Sequence, residues 1–368
     1  MARLSAQALK ENYAAIRALV PGQGILPMVK ANAYGHGAVW AARELLSMPG
    51  LSGFGVATLE EGRDLRRELG MRARKTRIVI FTGTAAWTEE KGQFCENHNL
   101  TPVIQSDSDW VAFLRGGWAE RLDYEIMFNT GMNRLGLTPG FAAQVAKALR
   151  NRPSSTFPEG VFTHLAMAEE PDSKLTRSQV QCFQAIRREL AGIMPATHFH
   201  MANSAGIWNQ KQYGLQDLTD HVRPGLALYG IAPWKGAPRR GLQPVMSLEA
   251  KVVQLGKLRV GESIGYGGTF KAKEVTPYAI LGAGYADGVS RSLGNKGAIS
   301  LQGQRCRLIG RVSMDLCAIE TNSVKARVGD WAQILGPEVD AWELAEAAGT
   351  IPYEILTSVS GRVQRIYG

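Results

Sequence analysis

Cysteine is scarce in this sequence, with four residues among 368, at positions 95, 182, 306 and 317. The four are far apart, and none belongs to a C-x-x-C pair. Such spacing argues against a disulfide framework and against a zinc site. We therefore expect reduced, buried thiols and no bound metal.

Long hydrophobic runs are also missing. No apolar stretch approaches the roughly 20 residues that a membrane helix needs, and residues 1–7 contain no apolar signal-peptide core. We expect a cytoplasmic protein that does not enter a membrane.

Acidic residues are the minority charge, because 33 Asp and Glu face 42 Lys and Arg, a formal net charge of +9. The basic residues occur singly or in pairs such as Arg66-Arg67 and Arg187-Arg188. This scatter indicates a surface that attracts small anions and does not indicate a nucleic-acid partner. With 45% hydrophobic residues the chain can build a large core, and its length favours two domains.

Between residue 25 and about residue 230, short runs of β type alternate with helical segments. Eight runs have this character, at 25–30, 54–58, 77–81, 101–104, 124–128, 160–164, 197–202 and 221–223. Strict alternation predicts parallel pairing, and eight units close a barrel that leaves no strand edge exposed. Residues 1–232 are therefore predicted to form a (β/α)8 barrel of the α/β class.

The alternation of strand and helix patterns ends at the proline-rich stretch 233–238, which has the composition of a linker. Runs rich in Val and Gly follow at 246–255, 278–282, 298–301, 308–312, 316–320 and 330–335, and the helical pattern is almost limited to 341–348. Residues 233–368 are predicted to form a second, mainly β-stranded domain.

Reactive groups of such barrels lie at the carboxyl ends of the strands. The charged, hydroxyl and amide side chains that follow the predicted strands are Lys30, Arg134, His164, Asn203, Ser204 and Arg223. Burial and neighbouring cations lower the pKa of a lysine amine and free it to attack a carbonyl carbon. Lys30 among these groups suits a phosphorylated aldehyde held as a Schiff base.

The motif at 27–37, Pro-Met-Val-Lys-Ala-Asn-Ala-Tyr-Gly-His-Gly, resembles the cofactor-lysine signature of the alanine racemase family, pyridoxal 5'-phosphate (PLP) enzymes of fold type III. Further motifs of that family follow in its order at 129–136, 202–205, 223–230, 265–270, 284–288, 310–315 and 353–354. The resemblance covers essentially the whole chain. It implies interconversion of L- and D-alanine, supply of D-alanine for peptidoglycan, and a homodimer in which residues 233–368 complete the active site of the partner subunit.

The same resemblance assigns the cofactor contacts. Lys30 would carry PLP and then act as one of two acid/base groups. The phosphate would be bound by Tyr34, Ser204, Tyr353 and the backbone amides of Gly225 and Leu226, with Asn203 close by. Hydroxyl and N–H groups suit a doubly charged phosphate. Arg223 would face the pyridine nitrogen without handing over a proton, and His164 would orient Arg223.

Racemisation needs a base on each side of the α-carbon. By resemblance, Tyr266 is the second base and is delivered by the other subunit. The backbone N–H of Met314, also from the other subunit, and the nearby Arg134 would hold the substrate carboxylate. Tyr285 would narrow the entrance and favour a small substrate.

One departure from the family pattern concerns charge. Many members have a carbamylated lysine where this chain has Met127, and an aspartate where it has Asn129. Because a thioether cannot carry a carbamate, we expect Arg134 to be balanced by a bound anion such as chloride or by Asn129. Ser313 replaces the usual cysteine, with little expected effect.

The same residues also suggest other functions. A metal-dependent barrel hydrolase would use His198 and His200, which point the same way, but it would need that pair on the first strand and further ligands. The two are more simply packing or supporting residues. PLP carriers without catalysis lack a β domain like the one that holds Tyr266. A racemase of broader specificity, acting on serine or other small amino acids, remains the alternative, although the bulk of Tyr353 favours alanine.

Overall fold

A computed structural model describes residues 1–322 and 324–368 of the chain. The strands are β1 (Ala2–Leu4), β2 (Gly24–Ile25), β3 (Phe54–Val56), β4 (Ile78–Ile80), β5 (Thr101–Ile104), β6 (Glu125–Met127), β7 (Gly160–Phe162), β8 (His198–His200), β9 (His221–Val222), β10 (Met246–Leu258), β11 (Ser263–Ile264), β12 (Phe270–Lys271), β13 (Thr276–Leu281), β14 (Ala298–Leu301), β15 (Gln304–Ile309), β16 (Cys317–Glu320), β17 (Trp331–Leu335) and β18 (Arg365–Tyr367). The α-helices are α1 (Ala6–Leu19), α2 (Lys30–Tyr34), α3 (Ala38–Leu45), α4 (Leu59–Leu69), α5 (Glu89–His98), α6 (Asp107–Arg115), α7 (Ala142–Leu149), α8 (Lys174–Ala191), α9 (Ser204–Trp208), α10 (Gln210–Tyr213), α11 (Ala341–Ala348) and α12 (Pro352–Thr357).

Strands β2 to β9 form a closed parallel barrel. The six strands β3 to β8 pair in sequence order, and β2 pairs with β9. Single parallel bridges, Met28 with Gly55 and Asn203 with Arg223, join these two parts. The predicted eight-stranded barrel is confirmed, although its first strand ends at Ile25 because Pro27 has no N–H to continue the ladder.

Alternation along the strands separates two apolar layers. Residues that point outward pack against the helices in the main core. Residues that point inward form a separate buried cluster, which contains Leu26, Val79, Val103, Met127 and Phe162. These side chains fill much of the barrel interior.

The helices begin where the sequence offers a cap. Thr58 and Glu61 form a reciprocal capping box at the start of α4, and the Ser173 hydroxyl accepts the N–H of Thr176 at the start of α8. Such caps satisfy N–H groups that have no partner within the helix. They hold the helices, and the loops that precede them, against the strand ends.

The predicted β-stranded second domain is confirmed as an antiparallel sheet in the order β13-β16-β15-β14-β17-β10. Since β13 also pairs with β10, these strands form a ring. Residues 1–232 are predicted from the sequence to belong to the barrel domain, but β1 pairs with β10 and β18, at the edge of this second sheet.

Three of the four cysteines are buried, Cys182 is half-buried, and all four are free thiols. Among the described residues, no helix combines the length and the apolar character that crossing a membrane requires.

Candidate active site

Lys30 lies just beyond the first barrel strand and opens α2, which is a left-handed turn and not a right-handed α-helix. The next four residues, Ala31 to Tyr34, have φ values between 50° and 54°. Left-handed backbone costs a non-glycine residue roughly 1–2 kcal/mol. Strain of this kind is concentrated at functional sites, and here it immediately follows the lysine.

Glu61 holds this turn. One carboxylate oxygen accepts the N–H of Ala31 at 2.7 Å, and the other accepts the N–H of Ala57, also at 2.7 Å. The side chain of Asn32 supports the far side of the turn by accepting the N–H of Ala38 at 3.0 Å. Sequence reasoning missed Glu61, whose spacing from Thr58 indicates only a helix cap.

The amine of Lys30 lies in surroundings that favour its neutral form. Burial lowers its pKa, the positive charge of Arg134 lowers it further, and the carboxylate of Glu61 opposes both effects. A lowered pKa increases the share of unprotonated amine at neutral pH, which a nucleophilic or basic lysine requires.

Arg223 is 3% exposed at the end of the eighth strand. Its guanidinium donates to Nδ1 of His200 at 2.5 Å and to the carbonyl oxygen of Thr163 at 2.7 Å, and it lies 4.8 Å above the ring of Phe162. Burial lowers its pKa to about 10, so that Arg223 is still a cation at neutral pH.

The contact expected between His164 and Arg223 is made instead by His200. Within the described chain, His164 has no hydrogen bond to Arg223, although it is close enough to be influenced by it. Burial, followed by the charges of Arg223, Arg134 and Lys30, lowers the pKa of His164 to about 3. These four side chains therefore lie near one another, and His164 is the neutral member.

His198 and His200 do not form a metal pair. His198 packs against His221, with ring centroids 4.2 Å apart, while His200 supports Arg223. In the part of the chain that the structure describes, no group of three or more His, Cys, Asp or Glu side chains is arranged to hold a metal ion.

Hydroxyl and amide groups meet beside the turn that follows the eighth strand. The hydroxyl of Ser204 accepts the N–H groups of Gly225 at 3.0 Å and of Ala227 at 3.3 Å. The N–H of buried Leu226 has no acceptor among the described residues. A Cβ at position 225 would lie 2.4 Å from the hydroxyl oxygen of Tyr34, so glycine is needed for this close approach.

Two further residues of the expected phosphate site frame this turn. Asn203 caps α9 by accepting the N–H of Gly206 at 2.9 Å. The ring of Tyr353, from α12 near the end of the chain, lies 5.8 Å from the ring of Tyr34. The structure thus brings together all of the residues predicted to hold a phosphate.

Arg134 is exposed and forms no ion pair with any carboxylate of the described residues. Asn129, one of the two partners expected for Arg134, has no hydrogen bond to it within the described residues. Its side-chain oxygen accepts the N–H groups of Gly131 and Asn133 at 3.1 and 2.9 Å and braces the loop. Met127, at the place of the family's lysine, lies in the apolar interior of the barrel.

The remaining predicted residues, Tyr266, Tyr285 and Met314, lie on the surface of the second domain, 74%, 43% and 52% exposed. The loops of Tyr285 and Met314 adjoin, because the N–H of Tyr285 donates to the carbonyl oxygen of Ser313 at 3.0 Å and the N–H of Ala286 to that of Met314. No hydrogen bond or ion pair within the described chain connects these three residues to Lys30 or Arg223.

Arg362 holds two of these loops together and was not singled out in the sequence. Its guanidinium donates twice to Asp287 and once to Asp315, each at 2.8 Å. Asp287 follows Tyr285 and Asp315 follows Met314, so this one side chain links the two loops. No motif spacing could have connected positions 287, 315 and 362.

Comparisons with known proteins agree along the entire chain. The sequence pattern described as "Alanine racemase, N-terminal domain" matches residues 4–233, and that of the C-terminal domain matches residues 245–367. The alanine racemase of Shewanella woodyi is 33% identical over 98% of this chain and 97% of the relative. That of Coxiella burnetii is 36% identical over 99% and 98%.

Solved structures agree with the sequence relatives. The biosynthetic alanine racemase from Pseudomonas aeruginosa is 32% identical and superimposes with a TM-score of 0.89, covering 100% of this chain and 99% of that one. The alanine racemase from Bartonella henselae, whose structure has covalently bound pyridoxal phosphate, is 28% identical with a TM-score of 0.86 and the same coverage. With two domain patterns in the same order and likeness over the full length, this chain belongs to the alanine racemase family.

Proposed function

We propose that this protein is an alanine racemase, which interconverts L- and D-alanine with pyridoxal phosphate. The observation that carries the proposal is the pairing of a lysine of lowered pKa, Lys30, with the buried cation Arg223 at the carboxyl end of the barrel. The full-length likeness to named alanine racemases supports it.

The residues present fit the cofactor. A phosphate would find the unpaired N–H of Leu226, the bare backbone at Gly225 and the hydroxyls of Tyr34, Ser204 and Tyr353, with Asn203 beside them. Such a donor set suits three acceptor oxygens. When bound, pyridoxal phosphate supplies an aldehyde that takes up the amino group of the substrate and draws electrons away from its α-carbon.

Arg223 and Lys30 have different roles in the reaction. Arg223 keeps its protons at neutral pH, so it would donate a hydrogen bond to the pyridine nitrogen of the bound cofactor without protonating it. Lys30, once its amine is free, accepts a proton from the α-carbon on one side of the substrate or returns one to it. His164, neutral between the cations, adds no further positive charge.

The second base must come from outside the subunit that supplies Lys30. Tyr266 is three-quarters exposed, on a surface that it shares with Tyr285 and Met314. We propose a homodimer in which residues 233–368 of each chain complete the site formed by residues 1–232 of the other, so that the phenol of Tyr266 faces Lys30 from the opposite side of the substrate.

The substrate would be held by its carboxylate. Arg134 supplies a cation without a protein counter-charge, and the backbone N–H of Met314 comes from the partner subunit. We propose that an anion such as chloride rests beside Arg134, because no described carboxylate pairs with it. Tyr285 and Tyr353 restrict the space to a small side chain, and in the cytoplasm the D-alanine formed would supply peptidoglycan synthesis.

Chiral chromatography of L- and D-alanine after incubation with the PLP-loaded protein tests this function. We expect Lys30→Ala to abolish racemisation, because no other amine can take its place. Tyr266→Phe should lower the rate at least about a hundredfold, the usual contribution of an acid or base group. Tyr278→Phe, on strand β13 of the same domain, is the matched control and should retain the wild-type rate. Serine as substrate tests the broader-specificity alternative.

Mixing the two inactive variants tests whether the site is shared. Dissociated and reassociated Lys30→Ala and Tyr266→Phe subunits form heterodimers with one intact site, so about a quarter of the wild-type activity should return. If both residues acted within one subunit, the mixture would remain inactive. A Tyr266→Phe protein as fast as wild type from either enantiomer would remove the tyrosine from the proposal.

A further inference from the structure

A line of buried polar side chains runs through the barrel behind Arg223. Nδ1 of His200 accepts a hydrogen bond from Arg223. On the other side of the same ring, Nε2 lies 3.2 Å from Oε2 of Glu125. The other oxygen of Glu125 accepts from Arg77, which lies 3.7 Å from Glu159. Arg77 and Glu159 precede their strands, so the line passes from the catalytic end of the barrel to its opposite end.

The line holds two of the most deeply buried polar groups of the barrel. Glu125 is 1% exposed and His200 is fully buried. Burial alone would raise the pKa of Glu125, but the neighbouring side chains of His200 and Arg77 outweigh burial and lower this pKa to about 2. Glu125 is therefore a buried carboxylate, which is stable only when its partners are in place.

The contact between Glu125 and His200 spans a whole strand. Glu125 lies on β6 and His200 on β8, with β7 between them, whereas neighbouring strands are about 4.8 Å apart. On β7 the intervening residue is Gly160, where a Cβ would lie 2.9 Å from the carboxyl carbon of Glu125 and 3.0 Å from Nε2 of His200. Only a residue without a side chain leaves room for the two to meet.

The hydrogen positions follow from the donors available. A guanidinium only donates, so Nδ1 of His200 must accept from Arg223 and carries no proton. Burial lowers the pKa of His200 to about 4, and the neutral ring therefore has its proton on Nε2. Nε2 of His200 and Oε2 of Glu125 lie 3.2 Å apart without meeting hydrogen-bond geometry, and neither atom has a hydrogen-bond partner among the described residues.

We propose that Glu125 is a positioning residue for the cofactor cation: by keeping the proton of His200 on Nε2, it holds Arg223 in place for its contact with the pyridine nitrogen. The inference rests on the proposed function, since it takes Arg223 as the partner of the ring nitrogen. If the proton moved to Nδ1, it would face an N–H of Arg223, and the guanidinium would turn away from this contact.

Glu125→Gln is designed to move that proton. Arg77 can only donate, so the amide oxygen of the glutamine must face Arg77 and its NH2 must face His200. Nε2 of His200 then has to accept, and its proton moves to Nδ1. In the double variant Arg77→Met, Glu125→Gln the amide is free to turn its oxygen towards His200, and the original tautomer should return.

The direct measurement is the ¹⁵N spectrum of histidine-labelled, PLP-loaded protein, in which His200 is assigned with a His200→Gln variant. We expect the Nε2–H tautomer in wild type, the Nδ1–H tautomer in Glu125→Gln, and the Nε2–H tautomer again in the double variant. Glu159→Gln, which removes a half-exposed carboxylate at the far end of the line, is the control and should leave His200 unchanged.

The second measurement is cofactor binding. Glu125→Gln should raise the dissociation constant of pyridoxal phosphate about tenfold, the size of one lost charge-assisted hydrogen bond, and the double variant should recover most of it. A wild-type His200 with its proton on Nδ1 overturns the inference even if no variant folds. An unchanged tautomer in Glu125→Gln also overturns it and leaves the racemase proposal intact, whereas wild-type protein that does not bind pyridoxal phosphate ends both.

Discussion

Glu61 supports two backbone segments with one carboxylate, and each oxygen has a different task. One oxygen holds Ala31 in the left-handed turn after Lys30, and the other holds Ala57 ahead of α4. The amide of a glutamine has one acceptor and one donor group, so it can serve only one of the two. The reactive lysine therefore depends on a residue that never touches the substrate.

We expect Glu61→Gln to lower the free energy of unfolding by about 1–3 kcal/mol, since one of the two backbone N–H groups loses its charged acceptor, and to weaken binding of pyridoxal phosphate. Urea unfolding and a cofactor titration measure the two effects. Glu60→Gln is the matched control, because it removes an exposed carboxylate from the same first turn of α4. Equal effects of the two substitutions would show that only the charge near the helix N-terminus matters.

The position of Lys30 was predictable, but the conformation beside it was not. Lys30 ends an apolar run and begins a recognisable motif. Alanine carries no signal for left-handed backbone, which glycine and asparagine favour, so the φ values of Ala31 and Ala33 follow from tertiary contacts. The line through Glu125 was equally hidden, because it depends on Gly160 of a third strand.

Gly230 marks the passage from the barrel to the second domain. It has a φ of 84° and ends the turn that contains Leu226, and a Cβ there would lie 1.8 Å from the carbonyl oxygen of Gln243. Gly236, six residues later in the linker, has nearly the same φ of 81° but no atom within 4 Å of its Cβ position. Comparing substitutions at Gly230 and Gly236 therefore separates the cost of left-handed backbone from the cost of steric crowding.

We predict that Gly236→Ala lowers the free energy of unfolding by about 1–2 kcal/mol, from the left-handed backbone alone. Gly230→Ala should lower it by at least about 2 kcal/mol more, because the backbone of Gln243 has to move. Urea unfolding of both variants gives the comparison. Equal losses would mean that the segment around Gln243 yields without cost and does not fix the turn.

The eight barrel strands could be predicted because each is an apolar run between helical segments, and the ring of antiparallel strands because its runs are rich in Val and Gly. Strand β1 could not be predicted from the sequence. It spans only Ala2–Leu4, and its partners, β10 and β18, lie more than 240 residues further along the chain. A strand this short is defined by its neighbours and not by its own sequence.

Both ends of the chain are held by the same sheet. The amino group of Met1 donates to the carbonyl oxygen of Glu249 at 2.7 Å, and the N–H of Gly368 donates to that of Leu4 at 2.9 Å. The two domains are therefore tied together at the termini as well as through the linker, which predicts that they unfold as one cooperative unit.

Acid should destabilise the folded protein over the pH range in which its buried histidines would take up protons on unfolding. Burial lowers the pKa of His36 and of His200 to about 4 and those of His164 and His221 to about 3, whereas an unfolded histidine has a pKa of about 6.5. Between these values the unfolded chain binds protons that the folded chain does not. The stability that these neutral histidines contribute is complete above pH 6.5 and is lost as the pH falls towards 4.

We predict that the free energy of unfolding declines on acidification from pH 6.5 to about 4.5, by about 1.4 kcal/mol per pH unit for each of the four histidines. Urea unfolding at half-unit steps of pH measures this slope. His221→Gln removes one of the four groups and should make the slope shallower by about one proton, because glutamine does not titrate. A flat profile above pH 5, or an unchanged slope in His221→Gln, would show that these rings take up protons without unfolding and that their burial does not set the acid limit of the fold.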